Sequence, residues 1–184
     1  MIPPLPGLIF PAMKTRTLLL GLVVVAAGMG QAAGFNVPQS REEFVKAVTT
    51  GARGAAVETL TVDRSVGDIY GTLKKTTSTC LDVTVKRSGF VGGQMESSLS
   101  DYNPTLGMID GNRVEFSLQV VHRPRAIGEN APPGGLYVMV VNIRPLGARR
   151  SEVVLYRPTI GYKKVVTEFK QWVAGEDTGC PKMK

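Results

Sequence analysis

Gly161-Tyr-Lys-Lys-Val-Val-Thr-Glu-Phe-Lys-Gln-Trp-Val-Ala174 decides how the rest of the chain is read. Tyr162, Val165, Val166, Phe169, Trp172 and Val173 recur three, four and seven positions apart, and Lys163, Lys164, Glu168, Lys170 and Gln171 fill the gaps. That spacing predicts an amphipathic helix with one apolar stripe, which carries the only tryptophan of the chain. A stripe of this kind has to be buried, and the residues before it supply a run of strands to bury it against. The expected fold is therefore α+β: a curved antiparallel sheet packed on a long C-terminal helix.

Working outward, Pro158 stops the last strand, Glu152 to Arg157, and Arg144-Pro-Leu-Gly-Ala-Arg-Arg150 turns the chain into it. Leu136 to Ile143 is apolar on both faces, which predicts a central strand covered on each side. The segment from Arg123 to Gly135 holds several prolines and reads as a long exposed loop, because proline lacks the amide donor that a ladder requires. Upstream, Thr105 to Ile109 and Arg113 to His122 form a hairpin across Asp110-Gly-Asn112, with Val114, Phe116, Leu118 and Val120 facing inward. Arg87 to Asn103 is rich in glycine and serine without a sustained period and reads mostly as loop, with a short strand around Phe90 and Val91. Before it, Leu81, Val83 and Val85 alternate with Asp82, Thr84 and Lys86 as a half-buried strand.

Two helices and a strand precede these. Ser65 to Lys75 places Val66, Ile69, Tyr70 and Leu73 at helical spacing behind the N-cap Ser65. Gly67 and Gly71 inside it point to a neighbour packed close to the backbone, since each costs a helix about 1 kcal/mol relative to alanine. Ala56 to Val62 is rich in β-branched residues and reads as a strand. Ser40-Arg-Glu-Glu43 has capping-box spacing ahead of a short helix that Gly51 can end.

At the N-terminus, Lys14 and Arg16 stand before the apolar run Leu18 to Gly30, and small residues follow at Gly30, Ala32 and Ala33. Charge, apolar stretch and small-residue site make up a secretory signal peptide, and the run is short of the roughly 20 residues of a spanning helix. The expected division is a signal peptide at 1–32 cut after Ala32, a helical arm at 33–54 and one domain at 55–184, in a periplasmic or secreted protein that is not an integral membrane protein once processed. Met13 is an alternative start. Removing 32 of the 184 residues leaves 152, enough for one core, and takes the formal net charge from +7 to +5. In an oxidising compartment the two cysteines, Cys80 and Cys180, are expected to form one disulfide.

From Ala56 onward the order of elements resembles the helix-grip fold of the START and Bet v 1-like (SRPBCC) superfamily, with Val62-Asp-Arg-Ser65 leading into the first gripped helix and Tyr162 to Val173 as the grip helix. The chain departs from it in having one helix between its first two strands where many members have two. The resemblance implies a cavity between sheet and helix for an apolar small molecule or lipid, but no motif of the family's cavity residues carries over to this chain; the candidate ligand-binding residues are the aromatics Tyr70, Phe116, Tyr137, Phe169 and Trp172. A generic sandwich of sheet and helices is the competing arrangement.

Sites of chemistry are sparse. His122 is the only histidine and faces inward on alternation from Val120, so it reads as a structural residue; a triad with Asp101 or Asp110 lacks the Gly-x-Ser-x-Gly elbow. The paired acids Glu42-Glu43 and Glu176-Asp177 read as helix-end or solvated groups, no pair suggests glycoside hydrolysis, and no phosphate loop or metal-ligand spacing is present, so no enzyme activity, cofactor or metal is expected. Arg123 and Arg125 on one loop and Arg144, Arg149 and Arg150 on another are candidates for an anion or partner surface if the loops are neighbours, the alternative being a solvated rim. Two readings of function follow. One is an exported binding protein for an apolar or lipid-like ligand; the other is an envelope assembly module whose basic loops meet a protein, anionic glycan or lipid, with nucleic acid excluded by export.

Overall fold

The computed structural model describes residues 37–124 and 130–183. The leader at 1–32 and Arg125 lie outside the described residues. In chain order the elements are α1 (Arg41–Thr49), β1 (Ala55–Val62), α2 (Val66–Cys80), β2 (Val83–Val91), β3 (Gln94–Ile109), β4 (Arg113–Arg123), β5 (Leu136–Gly147), β6 (Arg150–Pro158) and α3 (Lys163–Ala174). The six strands form one antiparallel sheet in the order β1-β6-β5-β4-β3-β2. Every neighbouring pair after β1 is consecutive in sequence, so α2 is the crossover that carries the chain from one sheet edge to the other.

The apolar stripe of α3 lies where its spacing demands: Val165, Val166, Phe169, Trp172 and Val173 are all buried. They meet Val114, Phe116, Leu118 and Val120 of β4, Val141 and Ile143 of β5 and Ile69 and Leu73 of α2 in one cluster. Phe169 stacks on Phe116 with ring centres 4.9 Å apart. On the opposite face of the sheet, Phe44 and Val48 of α1 cover Val140 of β5, so β5 is buried on both sides as expected of a central strand. A bulge between Leu118 and Gln119 in the β4–β5 register, and another between Pro145 and Gly147 in β5–β6, bend the sheet.

Local chemistry sets the element ends. Ser40 and Ser65 cap α1 and α2 by accepting from the amides of Glu43 and Asp68. Glu43 reaches back to the amide of Gln39, one residue before the position that a capping box uses. Arg64 donates to the carbonyls of Trp172 and Val173 at 3.0 and 3.1 Å, closing the free C-terminal end of α3 and tying it to the start of α2. Cys80, the last residue of α2, is bonded to Cys180 with Cα atoms 5.0 Å apart.

Two expectations are overturned. Arg87 to Asn103 is not a loop: β2 and β3 pair from Val83↔Tyr102 out to Val91↔Gln94 around Gly92 and Gly93, both at positive φ. The β3–β4 pairing starts only at Leu99, so the end of this hairpin is a two-stranded ribbon beyond the sheet. Exposed on both faces, it has no burial to impose a period of two on its side chains. The second correction concerns α2. A Cβ on Gly71 would meet nothing within 4 Å and one on Gly67 only Ser65 Oγ at 3.9 Å, so no neighbour presses on either.

Glu58 on β1 accepts from both Arg157 on β6 and Lys170 on α3, linking the sheet edge to the helix. The Lys170 hydrogen bond, with Arg157 adding to it against some desolvation, holds the Glu58 carboxyl below its ordinary value of 4.5. A depressed folded pKa means that the contribution is present above the unfolded value and is lost as pH falls through the folded one. Glu58→Gln is expected to lower stability by about 1 kcal/mol at neutral pH, with the gap to wild type narrowing in acid below the unfolded value. Urea midpoints measured across that range check it.

Candidate functional site

Between β6 and α3 the chain turns through Gly161 at φ 79° and Tyr162 at φ 50°. A left-handed conformation costs a non-glycine residue about 1 kcal/mol or more. The Tyr162 ring is held in place by Tyr102 of β3, edge-on with centres 6.3 Å apart and planes at 77°. At the other end of α3, Gly175 at φ 94° terminates the helix and the tail doubles back along it. Trp172 Nε1 donates to the Gly179 carbonyl at 3.2 Å, the Cys80–Cys180 bond pins the next residue, and Met183 packs against the main core.

These features enclose an open groove of about 570 Å³ at the N-terminal end of α3. Arg87 comes to it from β2, Tyr102 from β3, His122 from β4, Gly161 to Val165 from the start of α3, and Lys182 and Met183 from the tail. The lining combines aromatic and aliphatic surface with four cationic side chains and, among the described residues, contains no carboxylate. Burial pushes the Tyr162 phenol up to about 12, with Tyr102 adding to the rise and Arg87 opposing it, so the phenol is neutral at physiological pH. His122 Nδ1 lies 3.0 Å from Ser100 Oγ, its directly opposed cross-strand neighbour.

The aromatic candidates are not gathered around one space. Phe116, Phe169 and Trp172 are fully buried against one another in the core, and Tyr70 is partly buried at its margin. Tyr137 lies on the opposite face of the sheet beside Phe44, at 5.7 Å between ring centres. Burial raises its phenol above the ordinary value, Glu42 adding and Arg41 opposing. The site residues that sequence reasoning missed are Arg87, Tyr102, Lys163, Lys164, Lys182 and Met183. One signal for them was readable: Lys163 and Lys164 occupy the first turn of a helix, where the dipole disfavours positive charge.

The arginine surface is also corrected. Arg123 ends β4, whereas Val114 at the start of β4 pairs with Ile143, next to Arg144. The nine residue steps from Val114 to Arg123 span about 30 Å at roughly 3.4 Å per residue, so the two loops lie at opposite ends of the sheet. Arg123 is paired with Asp101 at 2.5 Å and Arg144 with Glu152 at 2.6 Å. Arg149 and Arg150 border a separate shallow depression with Asp63.

A triad around His122 is excluded by the β3–β4 register, in which Ser100 and not Asp101 opposes His122. Asp101 points to the other face of β3, where the Thr84 hydroxyl and Arg123 hold its carboxyl below the usual range. Asp110 sits in the turn at the far end of β4, paired with Arg113. Among the described residues no group of three or more histidine, cysteine, aspartate or glutamate side chains is placed to hold a metal ion. No described helix is long and apolar enough to cross a membrane.

No family model and no curated protein matches this chain. Among solved structures it is similar to the crystal structure of protein CV1439 from Chromobacterium violaceum, at 10% sequence identity and a TM-score of 0.33, over 66% of this chain and 95% of that one.

Proposed function

We propose that this chain is an exported binding protein that holds an apolar or lipid-like molecule between the sheet and α3, at the N-terminal end of the helix. The observation that carries the reading is the groove of about 570 Å³, whose walls are formed by the rings of Tyr102 and Tyr162 and the side chains of Val165 and Met183. A concave site of a few hundred Å³ with mostly apolar walls and a few polar groups is the usual form of a small-molecule site. The reading places the ligand beside the α3 core instead of inside it, because Phe116, Phe169 and Trp172 already fill the space beneath the helix. A terminal helix laid across a six-stranded antiparallel sheet supports a helix-grip assignment, and the Cys80–Cys180 bond supports an oxidising compartment outside the cytoplasm.

Native mass spectrometry of the protein purified from the compartment into which it is exported tests this. The expected spectrum contains a fraction of the chain carrying an added mass of lipid size, released by organic solvent and recovered in the extract.

An envelope assembly module is the second reading, and one observation favours it. Phe90 and Met95, paired across the tip of the β2–β3 ribbon, are 74% and 71% exposed. Under this reading the spectrum shows ligand-free chain, and the partner meets the ribbon tip.

A further inference from the structure

We propose that the groove is built for an amphipathic anion, with a carboxylate or phosphate head held among Arg87, Lys163, Lys164 and Lys182 and an apolar tail laid along Tyr102, Tyr162 and Met183. This rests on the groove being a ligand site and names the class of ligand. Four cations reach the groove from three separated parts of the chain: β2, the first turn of α3 and the disulfide-pinned tail. None of the four has a carboxylate within salt-bridge distance among the described residues, although six other ion pairs form there.

The arrangement works against the fold. Lys163 and Lys164 occupy the positive end of the α3 dipole, the first turn contains no acid, and the N-cap residue Tyr162 makes no side-chain cap. Like charges near one another repel, and Glu168, one turn on from Lys164, borders an adjoining depression with Lys163, Lys164 and Lys182 and so offsets this repulsion from outside the groove only. An anionic head in the groove offsets all of these terms at once, forming charge-assisted hydrogen bonds with the ammonium and guanidinium groups. The apolar walls alone do not discriminate between anion and neutral molecule, so the cations are what would set the selectivity.

Calorimetric titration of the full, disulfide-bonded chain with sodium decanoate, 1-decanol and inorganic phosphate separates these contributions. Decanoate is expected to bind at least about tenfold more tightly than decanol, the equivalent of one charge-assisted hydrogen bond, and phosphate alone more weakly than decanoate. In the Lys163→Gln/Lys164→Gln variant the preference for decanoate is expected to shrink toward parity while decanol binding is unchanged. Arg87→Gln, on a different element, reduces the same preference and serves if the double variant fails to fold. Equal binding of decanol and decanoate by the wild type, or a preference that survives both variants, overturns the anion assignment and leaves an apolar site standing. Phosphate binding as tight as decanoate overturns the amphipathic assignment in favour of a plain anion site. If none of the three binds, the ligand-site reading fails with it.

Discussion

Phe169→Ala is expected to lower the free energy of unfolding by about 3–5 kcal/mol, a large part of the stability of a domain of this size. The ring is fully buried, lies 4.9 Å from Phe116 and 6.5 Å from Trp172, and sits at the centre of the apolar face that α3 turns to the core. Removing it forfeits the transfer of a large apolar side chain out of water and leaves a cavity that rigid neighbours on β4 fill only in part. Ile160, in the turn just before α3, is 82% exposed, and Ile160→Ser is expected to change stability by no more than about 0.5 kcal/mol. Urea denaturation of both variants checks the contrast. A loss below about 1 kcal/mol for Phe169→Ala would mean that α3 is not a structural part of the core.

Removing the disulfide has the other large effect. Cys80 and Cys180 close a loop with a sequence separation of 100. The chain-entropy account gives about 4.7 kcal/mol for such a loop as an upper figure, and native bridges more often contribute about 2–4 kcal/mol. The Cys80→Ser/Cys180→Ser variant is therefore expected to lose about 2–4 kcal/mol, and a reductant should have the same effect on the wild type. The loss has a local signature as well. Residues 175–183 are held to α3 by Thr178 on Glu168 and Trp172 on Gly179 and to the end of α2 by the bridge, so their amides should exchange faster once the bridge is gone. The tail also supplies Lys182 and Met183 to the groove, so ligand binding should weaken with it. An unchanged unfolding midpoint would count against the bridge as a structural element.

How far the residues alone disclosed this structure depends on which forces act locally. The α3 stripe, the Asp110-Gly-Asn112 turn, the Ser40 and Ser65 caps and the doubly apolar β5 were legible because each is decided within one or two turns of chain. The β2–β3 ribbon was not, since side chains such as Ser88, Glu96 and Ser97 face water whichever way they point and carry no alternation. Its Gly92-Gly93 turn was a usable hairpin signal that the surrounding polarity obscured. The extension of α2 through Thr76, Thr77, Ser78 and Thr79 was hidden for a different reason. These residues are weak helix formers, and they persist here with their hydroxyls bonded back to carbonyls one turn earlier while Thr77 and Cys80 face the core.

The groove was the least legible part. Arg87, His122, Lys163 and Lys182 belong to four distant stretches, and only the strand order and the disulfide-pinned tail bring them together. The aromatics that the sequence offers as ligand residues lie on apolar faces, and large aromatics on such faces mostly fill cores, as Phe116, Phe169 and Trp172 do. Arg123 does not share a surface with Arg144, Arg149 and Arg150, because the β4–β5 register places them at opposite ends of the sheet, a pairing that no local pattern discloses.

The most direct test of the groove as the ligand site is an amide chemical-shift titration of the isotopically labelled chain with decanoate. The account predicts saturable shifts at Tyr102, His122, Tyr162 to Val165 and Lys182 to Met183, with Phe44 and Tyr137 on the other face of the sheet unmoved. Shifts centred on Tyr137 and α1, on the ribbon around Phe90, or spread evenly over the surface would contradict it.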